Sequence, residues 1–267
     1  VRTMEVAAAA GCRVVVADRP NPIGGEVVEG PRIAEGYFSF VGELPVSNRH
    51  GMTVGELARL ARARRCPDLE LHVVPVEGWR REQWWNETGL PWVAPSPNMP
   101  TLDTAGVYPG ACLIEATGMS EGRGTTRPFE LVGAPWLDPV LFARRLSDFD
   151  LPGAGFRPAV FVPCFHKHAG TACGGVQIHI RSRSLFRPVL TGVALVAAAR
   201  AEDPERFAWR REPYEFVADR PAIDLLAGSP RWREAIESGA SPWDIEAGWR
   251  AEQVVFEQER RPFLLYG

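Results

Sequence analysis

The chain has 267 residues, 45% of them hydrophobic and 24% charged, which suffices for one large domain or two modest ones. With 30 basic against 33 acidic residues, a net charge of −3, no global field favours nucleic acid or an anionic membrane. No apolar run approaches the roughly 18 residues that cross a bilayer, and the odd set of cysteines, Cys12, Cys66, Cys112, Cys164 and Cys173, implies no disulfide framework.

Residues 1–10 favour a helix; Glu5 interrupts what would otherwise resemble a lipoprotein signal ahead of Cys12. Gly11 suits a helix end, and RVVVA at 13–17 is a buried strand that stops at Asp18. A bare helix feeding a central-type strand is an unusual opening, and the expectation is that earlier strands of the same sheet are missing. The loop DRPNPIGG is fixed by prolines and glycines, so Asp18, Arg19 and Asn21 project from the strand end. Acid, guanidinium and amide suit a polyhydroxylated or carboxylated ligand; equally, they suit a loop that holds itself together.

Thr53 with Glu56 forms a capping box, with Val54, Leu57, Ala58 and Ala61 on one helical face. His50 then lies at a helix N-terminus, either structural or a proton carrier. A strand at 69–76 follows, and then Trp79, Trp84, Trp85 and Trp92, read mostly as core rather than as sugar platforms. Ser96 and Asn98 sit on a second proline-fixed loop. The apolar run at 111–114 reads as a third strand, ending at Glu115 and delivering a loop with Ser120, Glu121, Arg123 and Thr126 between glycines. Arg123 pairing with Glu115 or Glu121 is the bland alternative. Three strands ending at Asp18, Val76 and Glu115 would line polar loops along one sheet edge.

Asp138 and Pro139 open a helix; strands at 159–165 and 175–180, a helix at 188–201 and two helices begun by Ser229–Pro230 and Ser241–Pro242 follow. The expected architecture is α/β: a truncated Rossmann-like parallel-sheet domain at 1–145, then a smaller α+β auxiliary domain at 146–267.

Cys164, His166, His168 and Cys173 lack the spacing of a zinc site. GRGTT lacks the lysine of a phosphate-binding loop, and no G-x-S-x-G elbow is present. Neither metal nor cofactor is expected. Carboxylates remain, Asp18, Glu29, Glu115, Glu121 and Glu130 among them, and glycoside hydrolysis uses a pair about 5 to 10 Å apart.

The run DRPNPIGG, RHGMTVGELA, PSPNMPT, YPG, SEGRGTT, PFE, GAPW and the late FLLY, in this order, resembles the DUF1343 family over essentially the whole chain. Its characterised members are exo-β-N-acetylmuramidases of the NamZ type, glycoside hydrolase family 171. The resemblance implies a Rossmann-like domain joined to an auxiliary domain, and release of terminal N-acetylmuramic acid (MurNAc) from the non-reducing end of peptidoglycan fragments. Asp18, Arg19, Asn21, His50, Asn98, Glu115, Ser120, Glu121, Arg123 and Thr126 match its motif positions. Glu121 and Glu115 are the candidate partner carboxylates, and the others are candidate substrate contacts, Arg123 for the lactyl carboxylate of MurNAc. The family's leading acid, in a Glu-His-Gly motif, is expected upstream of Val1. Family habit implies the cell envelope or secretion, with the cytoplasm left open, and the oligomeric state is not legible. The competing expectations are a muropeptide-binding protein without catalysis and a metal-dependent hydrolase using His166 and His168.

Overall fold

The computed structural model describes residues 1–267. Helix α1 (Arg2–Ala9) turns through Gly11, at φ +65°, into β1 (Val14–Ala17). After the proline loop, β2 (Glu29–Arg32) and β3 (Ser47–Arg49) pair antiparallel. Helix α2 (Val54–Arg65) starts at the expected capping box: Thr53 Oγ1 accepts from the Glu56 backbone, and the Glu56 carboxylate accepts from Thr53 N. It crosses over to β4 (Leu71–Val74), which lies parallel to β1 with Val14 opposite Leu71. A parallel pair needs such a crossover. Ala58, Ala61 and Leu69 bury against Met4 beneath it.

The third expected strand is a helix. Residues 102–111 form α3 (Leu102–Ala111), capped by Thr101 and continued by a 3-10 turn, Cys112–Ala116. A short apolar run carries no periodicity that separates a buried strand from a buried helix. Packing decides it here: Gly110 and Gly192 meet so closely that a Cβ on Gly110 would lie 1.8 Å from Pro188 O. Glu115 therefore does not share a sheet edge with Asp18.

A third sheet has the order β5-β7-β6, from β5 (Leu131–Ala134), β6 (Ala154–Phe161) and β7 (Cys173–Ile180), all antiparallel. Helix α4 (Pro139–Asp148), capped by Asp138, packs on it, and the largely buried α5 (Pro188–Glu202) packs on α3 and α4. The division expected at 145/146 cuts this unit, because β5 finds its backbone partners on β7. One buried cluster runs unbroken from Val107 to Trp249, so the later unit carries the larger core. Short helices α6 (Ala222–Leu226), α7 (Arg231–Glu237) and α8 (Pro242–Ala247) complete it, and α9 (Arg250–Arg260) returns the chain to the first unit.

Hydrogen bonds from the returning tail and from a buried carboxylate on β2 are among those that tie the units. The tail after α9 lies on the first unit: Leu265 N donates to Glu56, Arg81 N to Gly267 O, and Tyr266 OH to Asp18 Oδ2. From β2, the buried Glu29 carboxylate accepts from Val189 N at 3.2 Å and Leu190 N at 2.8 Å, capping α5 from outside its own sequence. Burial raises the Glu29 pKa, against those hydrogen bonds and Arg187 and Arg49. Glu29→Ala leaves two buried N–H groups unpaired and is expected to lower unfolding free energy by about 2 kcal/mol, with Glu29→Gln costing less. Urea denaturation checks this; an unchanged Glu29→Ala midpoint would exclude the cap.

Candidate functional site

The expected site residues divide into two networks. At the end of β1, Asp18 accepts from Arg19 N, Gly55 N, Thr53 Oγ1 and Tyr266 OH at 2.6–2.8 Å. A carboxylate offers about four lone-pair positions, so the chain itself fills them all. Asn21 is likewise committed, donating to Met52 O and accepting from Ile23 N. His50 Nδ1 accepts from Met52 N, which places its proton on Nε2. Burial, then the Arg260 charge, lowers its pKa to about 4. The Arg19 side chain is exposed. The loop-holding alternative is thus what Asp18 and Asn21 do.

The second network is built on the loop after the 3-10 turn. Gly122 and Gly124 have φ +75° and +82°, and a Cβ on Gly124 would lie 2.6 Å from Phe165 O. This close approach sets residues 164–168 beside the loop, with His166 and His168 both left-handed. Glu121, fully buried, then has Arg123 Nε at 3.1 Å, Lys167 Nζ at 3.0 Å and His166 Nδ1 at 3.2 Å. None of the three is aligned as a hydrogen bond, so Glu121 is charge-balanced with lone pairs unused. Glu115 accepts from Arg123 Nη2 at 2.9 Å and from Tyr214 OH at 3.0 Å. One guanidinium therefore bridges both carboxylates while lying over Phe129, 5.0 Å from the ring centre.

Lys167 also donates to Ile114 O and Glu115 O, pinning the 3-10 turn. Burial lowers its pKa against the opposing pull of Glu121. Desolvation and Glu115 hold the Tyr214 hydroxyl protonated well above its ordinary range. Ser120 Oγ accepts from Gly122 N and shapes the turn, while Thr126 is exposed on the same loop. Asn98 belongs to neither network: half-buried, it donates its backbone N to Ser96 Oγ. Asp18, Asn98 and Glu121 share no partner.

Lys167 and Tyr214 are absent from the expected set, and His166 enters it only as a metal donor. No spacing signals them, since the fold alone brings them to Glu121 and Glu115. The metal quartet disperses: Cys164 faces Gly124 O, His168 faces Gly118 O, and Cys173 faces Thr171 O. Chemically, the cluster sets two carboxylates against cationic side chains and presents Arg123 and His166 to solvent, their side chains 24% and 43% exposed.

The neutral His50 sets a pH dependence. The unfolded chain protonates this imidazole near 6.5 and the folded chain near 4, so acid favours unfolding within that window. Folding stability is expected to fall between pH 6.5 and 4 by about 2 kcal/mol more in the native chain than in His50→Gln. Parallel urea profiles of the two across that window would contradict it.

The family model described as exo-β-N-acetylmuramidase NamZ, N-terminal, matches residues 1–103, and its C-terminal counterpart matches residues 106–266. The models meet just ahead of Val107, where the large buried cluster begins. The chain is 42% identical over 263 residues to the peptidoglycan β-N-acetylmuramidase NamZ of Bacillus subtilis (strain 168), covering 98% of this chain. It spans 62% of that protein's length. Two crystal structures of DUF1343 family proteins from Bacteroides fragilis NCTC 9343 are similar to it. The first has a TM-score of 0.90 at 30% identity, over 99% of this chain and 69% of that one. The second has 0.74 at 28%, with the same coverage.

Proposed function

The chain belongs to the NamZ family, and from that membership we propose that it works as an exo-acting glycoside hydrolase on peptidoglycan fragments, releasing terminal MurNAc from the non-reducing end. The observation that carries this reading is the match of the two NamZ models across nearly the whole chain, supported by the 42% identity to a named peptidoglycan β-N-acetylmuramidase. The fitting partner is a MurNAc-GlcNAc saccharide, and the fitting compartment the cell envelope or exterior, in cell-wall turnover.

Within the site, Arg123 is the residue assigned to the sugar's lactyl carboxylate. Glu115 accepts from Nη2 and Glu121 lies 3.1 Å from Nε, which leaves Nη1 facing neither acid and free to donate. Both acids face cations, Glu115 the Arg123 guanidinium and Glu121 the Arg123, Lys167 and His166 nitrogens, and so they orient Arg123 and His166. His166 Nδ1 faces Glu121, and its half-exposed ring points a second nitrogen elsewhere for proton exchange.

A chromogenic MurNAc glycoside tests turnover, and calorimetry with MurNAc and GlcNAc tests binding. The expected result is chromophore release and a preference for MurNAc that Arg123→Ala reduces by roughly tenfold. MurNAc binding without release would favour the muropeptide-binding reading for this span. An unaltered preference in Arg123→Ala would remove the residue from sugar recognition.

A further inference from the structure

The segment that follows α5 returns to the Glu115 side of the cluster. Gly118 N donates to Ala208 O and Arg210 N to Ala116 O, both at 2.8 Å, so residues 208–210 lie alongside the end of the 3-10 turn. Beyond them, Tyr214 and Val217 exchange both backbone hydrogen bonds at 2.9 Å and close a two-residue turn. Its middle residues, Glu215 and Phe216, have φ +45° and +71°. Asparagine and glycine are the ordinary occupants of such a turn, and left-handed backbone at bulkier residues persists only where the surroundings hold it. Arg210 holds this one, donating to Pro213 O at 3.2 Å with its guanidinium over the Tyr214 ring at 5.1 Å. What the turn delivers is Tyr214, 5% exposed.

The Tyr214 hydroxyl, kept protonated, donates to Glu115 Oε2 at 3.0 Å, while Glu115 Oε1 accepts from Arg123 Nη2 at 2.9 Å. The last torsion of a glutamate is soft, so a carboxylate held on one oxygen swings, and one held on both does not. Arg123 depends on this. Glu121 lies near its Nε without an aligned hydrogen bond, so the bond to Glu115 is the one that aims the guanidinium. Phe129 supports the guanidinium face but leaves it free to turn within its own plane.

We propose that Tyr214 is a positioning residue for sugar recognition: its hydroxyl fixes Glu115, and Glu115 aims the Arg123 guanidinium at the substrate's carboxylate. This rests on the role given to Arg123 in the function proposed above. Tyr214 itself touches no sugar in this scheme. Selectivity for the acidic sugar then depends on a turn that shares no stretch of sequence with the loop it serves.

Tyr214→Phe removes the hydroxyl and keeps the ring within the buried cluster. Binding of MurNAc and of GlcNAc to the full chain is measured by calorimetry or ligand-observed NMR for the native protein, Tyr214→Phe, Arg123→Ala and the double variant. The MurNAc preference is expected to fall about fourfold in Tyr214→Phe with GlcNAc affinity unchanged, and the same substitution is expected to be silent once Arg123 is alanine. A tyrosine that only supports the fold would weaken both sugars alike, with or without Arg123, and that result overturns the proposal. A preference lost in Arg123→Ala but kept in Tyr214→Phe also overturns it, and leaves the proposed function standing. A native chain without MurNAc preference, or one indifferent to Arg123→Ala, removes the Arg123 assignment and this inference together.

Discussion

Two guanidinium groups fastened on the same two glycine carbonyls hold the molecule together. Arg81 Nη1 donates to Gly25 O and Gly51 O, and Arg260 Nη1 donates to the same pair. Neither glycine has room for a side chain: a Cβ on Gly25 would meet Arg81 Nη1 at 2.5 Å, and one on Gly51 would meet Arg260 Nη1 at the same distance. Like charges this close need compensation, and the buried Glu56, paired with Arg81, provides it. Glu56 is also the third residue of the α2 capping box. One carboxylate thus joins a helix start, a proline loop and the returning tail.

That arrangement explains why Asp18 is closed to ligands. With α2 begun at Thr53 and Arg260 anchored, Tyr266 reaches back across 248 residues of sequence to take the last acceptor position on Asp18. An acid after a strand is visible in a sequence. Its four donors are not, because two of them come from Gly55 N and a tyrosine at the far end of the chain.

Local signals were legible for the same physical reason that distant ones were hidden. Thr53 with Glu56, Asp138 with Pro139 and Ser241 with Pro242 mark real helix starts, since a cap acts within a turn of its own residue. The run at 111–114 misleads because burial on every side erases periodicity, and only the Gly110–Gly192 approach, a tertiary contact, selects helix. In the site, Glu115, Ser120, Glu121 and Arg123 could be grouped because one short loop carries them. Tyr214 lies 99 residues from the Glu115 it touches, and Lys167 shares no pattern with Glu121.

The charge arithmetic of that loop bears on what it can grip. Arg123 between two carboxylates alone would present a net negative surface, hostile to an acidic sugar. Lys167 changes this: its ammonium is spent on Glu121 and two carbonyls of the 3-10 turn, so it neutralises an acid without offering itself to solvent. The buried pair Lys167–Glu121 then counts as neutral, Glu115 is shared with Tyr214, and the exposed part of the cluster is the guanidinium edge and the His166 ring. On the proposed function, discrimination for a carboxylated sugar follows from this partition. Acid charge is sequestered inward, and the Arg123 guanidinium and the His166 ring are left at the surface, held by the acids behind them.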